Sequence, residues 1–156
     1  MIVQIEPDEI TTWFLAFYGR SSVAWLDRLV PGRFKHVSAF GYSHGARVWV
    51  FYDFGFTRAR VFVLPAGERA NAMLGEWTAE ASVLKINSGQ GRAPWLRLGF
   101  WCVPAMRHLV GVRSGALLPD GLWRDCLQQG AGTVFDGRPT RSASGRPGTG
   151  RAETGG

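Results

Sequence analysis

Three stretches of the chain, 34–42, 46–54 and 57–64, are dense in aromatic and β-branched residues and are separated only by Ser43-His44-Gly45 and by Gly55. Such runs, interrupted by turn-forming residues, predict three antiparallel strands joined by two tight hairpins. This pattern constrains the fold more than any other feature, because a sheet with apolar residues must be covered by something, and the remaining segments have to supply the cover.

On either side of that β-rich block the pattern becomes helical. In residues 7–17, Asp8 precedes Ile10, Trp13, Phe14 and Phe17, a spacing that predicts a short capped helix. Ser21-Ser22 opens a second expected helix, which Pro31-Gly32 stops, so an αα unit is expected to begin the fold. Residues 66–77 read as helix and 81–86 as a fourth strand, followed by a polar loop over 87–92 and an apolar stretch over 95–103. A helix over 104–110 ends at Gly111, and a last one opens at Pro119-Asp120 and stops at Gly130. The sum is an α+β domain: an antiparallel sheet with N-terminal helices and a Cys-bearing helix packed on it.

Length and charge set the remaining limits. With 156 residues, 46% of them hydrophobic, the chain can build one core. A single domain over 1–136 is expected, with a Gly/Arg-rich tail over 137–156 that lacks large apolar groups and is expected to be disordered. The formal charge is +6, but Arg138, Arg141, Arg146 and Arg151 against Glu153 place half of it in that tail. Nucleic-acid binding therefore rests on the tail alone, and the dispersed tryptophans do not form a stacking platform. No apolar run approaches the roughly 20 residues of a membrane span, so none is expected. The acidic start, with Glu6, Asp8 and Glu9, lacks the basic region of a cleaved secretory signal. Two cysteines and three histidines are too scattered for a structural zinc site, no phosphate-binding glycine loop is present, and no cofactor is expected.

Cys102 carries the most chemical interest. It lies at or just before the helix that Pro104 opens, where exposed amides and the helix dipole favour an anionic sulfur. Following Phe100-Trp101, it also fits a buried, inert thiol. His36, inside the first strand, is either a satisfied core residue or a base held on a rigid scaffold. Pairing through the 43–45 turn places Asp53 opposite Lys35, one register step from the histidine, where it is either an orienting carboxylate or a strand-end turn residue. Together, thiol, base and carboxylate are the minimum set for nucleophilic acyl chemistry. His44 in the turn and His108 in a helix read as surface residues, and Cys126 as core.

The order Pro31-Gly32-Arg33-Phe34-Lys35-His36-Val37, two more strands, Cys102-Val103 with Leu109-Val110-Gly111-Val112-Arg113, then Leu118-Pro119-Asp120-Gly121-Leu122-Trp123-Arg124, resembles a group of small bacteriophage proteins. These are similar to the circularly permuted papain-like thiol hydrolases, relatives of cell-wall endopeptidases and lecithin retinol acyltransferases. The resemblance spans about residues 30–130 and departs from the usual pattern at Trp101 and Pro104. It implies Cys102 as nucleophile, His36 as base and Asp53 as the orienting group of a phage-encoded hydrolase or transferase acting on an amide. The substrate would be a cell-wall peptide crosslink or a virion polypeptide, in the host cytoplasm or in the virion. The rival expectation is a non-catalytic virion structural or assembly protein that keeps the fold, with its tail ordered by an oligomeric partner.

Overall fold

The computed structural model describes residues 9–21, 23–55, 57–88 and 101–137. Ten elements follow in order: β1 (Thr12–Tyr18), α1 (Leu26–Leu29), β2 (His36–Ser43), β3 (Val48–Phe54), β4 (Ala59–Pro65), α2 (Glu68–Thr78), β5 (Ala81–Asn87), α3 (Cys102–Val110), α4 (Pro119–Gln128) and β6 (Gly132–Phe135). The strands form one six-stranded sheet in the order β4-β3-β2-β1-β5-β6, and every neighbouring pair is antiparallel. The architecture is α+β, as the sequence predicts. The tail over 138–156, the loop over 89–92 and the apolar stretch over 95–100 lie outside the described residues.

The largest departure from the sequence reading is at the start of the chain. Residues expected to form the first helix form β1 instead, next to the centre of the sheet. The spacing of Ile10, Trp13, Phe14 and Phe17 fits a helical stripe, but Leu15 and Ala16, between them, are just as fully buried. A strand covered on both faces reads as a continuous apolar run, and an amphipathic helix does not. The expected αα unit shrinks accordingly to the single turn α1. Strand β6, at the far edge, is short and exposed and carries no sequence signal of comparable strength.

Two cores follow from the alternation of side chains along the strands. On one face Leu15, Phe17, Val37, Ala39 and Leu84 pack against Met106, Val110, Leu122 and Cys126 of α3 and α4. On the other, Phe40, Phe51 and Val83 pack against Met73, Leu74 and Trp77 of α2. Full burial of side chains such as Phe17, Phe51 and Leu122 contributes roughly 1.5–3 kcal/mol each. Gly41 is required where β2 pairs with β1 opposite Trp13: a Cβ there would stand 2.6 Å from the Ile10 Cγ2 methyl and 3.0 Å from Trp13.

A second close approach anchors the segment that leads into β2. Gly32, with φ 99°, leaves room for the Asp120 carboxylate, which would lie 2.1 Å from a Cβ at that position. The same carboxylate accepts a hydrogen bond of 3.0 Å from the Phe34 amide. The Phe34 ring packs on Trp123 of α4 at 5.0 Å between centroids, and the Lys35 amide donates to the Tyr18 carbonyl at 2.8 Å. The Pro31–Val37 and Leu118–Arg124 segments thus pack directly on each other, and together they fix where β2 begins.

Candidate active site

His36 is the first residue of β2, opposite Tyr18 of β1, and their rings stack at 6.0 Å with 26° between planes. The hairpin between β2 and β3 is longer than the sequence suggests, occupying residues 44–47 with Arg47 at φ 56°. Ala39 consequently pairs with Tyr52. Asp53 is therefore not opposite Lys35: extending the observed register by one residue sets it across from Ser38, on the same face as His36 and diagonal to it. Diagonal neighbours in a sheet are within reach of long side chains. His36 Nε2 and Asp53 Oδ1 are 2.6 Å apart.

The other carboxylate oxygen is also engaged. Arg60, which pairs with Asp53 across β3 and β4, donates to Oδ2 from Nε at 3.1 Å and from Nη2 at 2.6 Å. Asp53 is buried, whereas Arg60 reaches it from a half-exposed position. A fork of this kind fixes the carboxylate in orientation as well as in charge. Sequence reasoning missed Arg60, yet the short Gly55 turn carried the signal, because antiparallel pairing through it brings residues 58–60 against 53.

Cys102 is the first residue of α3, with Trp101 as the extended residue before it. The helix thus starts two residues earlier than Pro104, which occupies its third position. Helix α3 packs on the sheet face opposite to the His36 side chain, but it also meets β2, and the Cys102 thiol acts on the imidazole electrostatically from there. With Nε2 committed to Asp53, Nδ1 is the nitrogen left for the sulfur.

The electrostatics follow from these neighbours. Burial alone pulls the His36 pKa down, but the hydrogen bond to Asp53, then the hydrogen bond and charge of Cys102, and the charge of Asp53 outweigh it. The net result holds the imidazole up at about 9, so it is protonated at neutral pH. For Asp53 burial works upward, yet the hydrogen bonds from His36 and Arg60 prevail and hold the carboxyl below its ordinary range. Burial pushes the Tyr18 phenol up to about 12, and its hydroxyl donates to the Trp77 carbonyl at 2.9 Å.

Two cavities meet at the His36 ring. A recess of about 350 Å³ contains Cys102 and is walled by Val23, Phe54, Trp101, Leu117 and Leu118. A larger, open cleft of about 1190 Å³ lies beyond Tyr18, Ser38, Asp53, Arg60 and Trp77. His36 lines both.

The remaining candidates lie elsewhere. His44 is exposed in the β2–β3 turn, edge-on to Tyr42, and His108 is exposed on α3. Cys126 is fully buried in α4, and burial pushes its thiol up to about 12. Both cysteines are free. Among the described residues no three metal-ligating side chains gather, and no helix is long and apolar enough to cross a membrane. Comparison of the chain with protein-family models, with curated proteins and with solved structures found no match in any of the three.

Proposed function

We propose that this chain is a thiol hydrolase or transferase of the permuted papain-like kind, acting on an amide through Cys102, His36 and Asp53. The observation that carries the reading is one imidazole held between a buried carboxylate and a thiol at a helix start. Asp53, itself clamped by Arg60, fixes the ring plane and favours the imidazolium. The ring beside the sulfur is the group that can take up and return the proton of the reaction. The chain order, with the histidine strand β2 before the cysteine helix α3, agrees with the permuted arrangement.

In the first half-reaction the sulfur electron pair forms a C–S bond to the amide carbonyl, and the carbonyl π pair moves onto oxygen. The amides of Cys102 and Val103, in the first turn of α3, have no intrahelical acceptor and are the candidates to bind that charge; Pro104 supplies none. When the tetrahedral intermediate collapses, the C–N bond breaks and the leaving amine takes the proton from His36. Water, or an acceptor nucleophile in a transferase, then loses its proton to His36, attacks the thioester and releases the thiol. The resemblance alone adds that the chain is a phage product acting on a peptide crosslink or a virion polypeptide.

A generic activated ester tests the reading without knowledge of the substrate. With p-nitrophenyl acetate, mass spectrometry should find an acetyl group on Cys102 that turns over, and His36→Ala should slow both steps by about a hundredfold or more. Acetylation confined to other residues, or unchanged by His36→Ala, would remove the proposed chemistry.

A further inference from the structure

The recess at Cys102 has a polarity that bears on what it accepts. Several of the polar groups in its walls bond within the protein. The Lys35 ammonium donates to the carbonyls of Val30, at 2.5 Å, and Gly32, at 2.9 Å. The Trp101 indole N–H donates to the Leu117 carbonyl at 2.9 Å. The Ser21 hydroxyl accepts from the Val23 amide at 3.2 Å, and the Ser21 amide donates to Asp27 at 2.6 Å. What the recess presents to an incoming group is therefore mostly apolar, with Val23, Phe54, Trp101, Leu117 and Leu118 in the same lining as Cys102.

We infer that this recess is the acyl-side specificity pocket of the site, and that it selects an uncharged, apolar group beside the carbonyl that Cys102 attacks. The inference rests on the thiol-hydrolase reading and deepens it by naming the substrate class: a polypeptide with an apolar residue on the acyl side of the scissile bond. A carboxylate or ammonium entering the recess would give up its hydration to walls that are mostly apolar, which disfavours it. An apolar group instead replaces water along the exposed flanks of Leu117 and Leu118, which are 56% and 39% accessible in the empty site. A crosslink whose acyl side carries charged substituents fits this pocket poorly.

The test uses the full chain and a series of chloroacetamides whose N-substituent is methyl, butyl or 3-carboxypropyl. Alkylation forms a bond from the sulfur to the CH2 carbon, and the C–Cl bond breaks with loss of chloride. The second-order rate at Cys102 should rise by up to about fourfold for each buried methylene from methyl to butyl, the equivalent of ~0.8 kcal/mol per CH2. The carboxypropyl reagent should react no faster than the methyl one. Leu118→Asp, which places a favourable N-cap residue at the start of α4 and so keeps the helix, should bring the butyl-to-methyl ratio towards one. Equal butyl and methyl rates, or a preference for the carboxylate, would overturn the pocket. Iodoacetamide, too small to use the recess, reports separately on the His36–Cys102 pair. Fast reaction with iodoacetamide and a flat series sinks the pocket alone. Slow reaction with a steep series supports the pocket and sinks the His36–Cys102 pair.

Discussion

His36 Nε2 lies 2.6 Å from Asp53 Oδ1 although the two residues are not cross-strand partners. The four-residue turn after β2 sets Asp53 one diagonal step away on the same face of the sheet, and Arg60 from the next strand holds its second oxygen. Three adjacent strands thereby converge on the ring that the first turn of α3 approaches from the other side.

The imidazole of His36 should titrate at about 9 in the intact chain, as read from its ring resonances by NMR. Both Asp53 and Cys102 raise that value, so Asp53→Asn and Cys102→Ala should each move the midpoint towards 6.5. A midpoint unchanged in both variants would mean that neither group is a true partner of the ring.

Acid should weaken the fold through Asp53. Its folded-state pKa is depressed, so the stabilisation it contributes is present above the unfolded value near 3.8 and is lost as pH falls through the folded value. The urea midpoint should therefore drop between pH 5 and pH 2.5, with a shallower drop in Asp53→Asn. Arg60→Gln, which removes one of the two partners, should be intermediate.

Phe17→Ala should cost about 3–5 kcal/mol, because the ring is fully buried between Phe34 and Trp123 at 5.3 and 5.0 Å. Val61→Ala on exposed β4 should change stability by about 0.5 kcal/mol or less. Chemical denaturation measures both. Similar small effects at the two positions would be inconsistent with β1 as a central strand.

Gly41→Ala should destabilise by about 1–3 kcal/mol, since its methyl group has to displace the Ile10 and Trp13 side chains. A neutral effect in the same denaturation experiment would mean that β1 and the segment before it do not press on β2 at this point.

The legibility of the fold in the sequence varied with how local the cause was. The strands around 34–64 were readable because turn residues break a β-rich run, and α4 because Pro119 and Gly130 bracket it. Strand β1 was not, since its apolar run meets a helical template by chance and only its neighbours in the sheet decide between the two. His36 and Cys102 were identifiable from residue type and element position. The place of Asp53 depended on a turn whose length the sequence leaves open, whereas Arg60 lay within reach of pairing through the Gly55 turn.

The most direct test of the His36–Cys102 pair is alkylation by iodoacetamide at pH 6.5, with each cysteine followed by mass spectrometry. An ordinary thiol with a pKa near 8.5 is about 1% ionised there. A Cys102 that works with His36 as its proton partner should react about tenfold faster than glutathione. Cys126, fully buried, serves as the internal control and should remain unmodified. The account predicts selective modification of Cys102 that His36→Ala slows to the rate of an ordinary thiol; a Cys102 that reacts no faster than glutathione, or equally fast with and without His36, would contradict it.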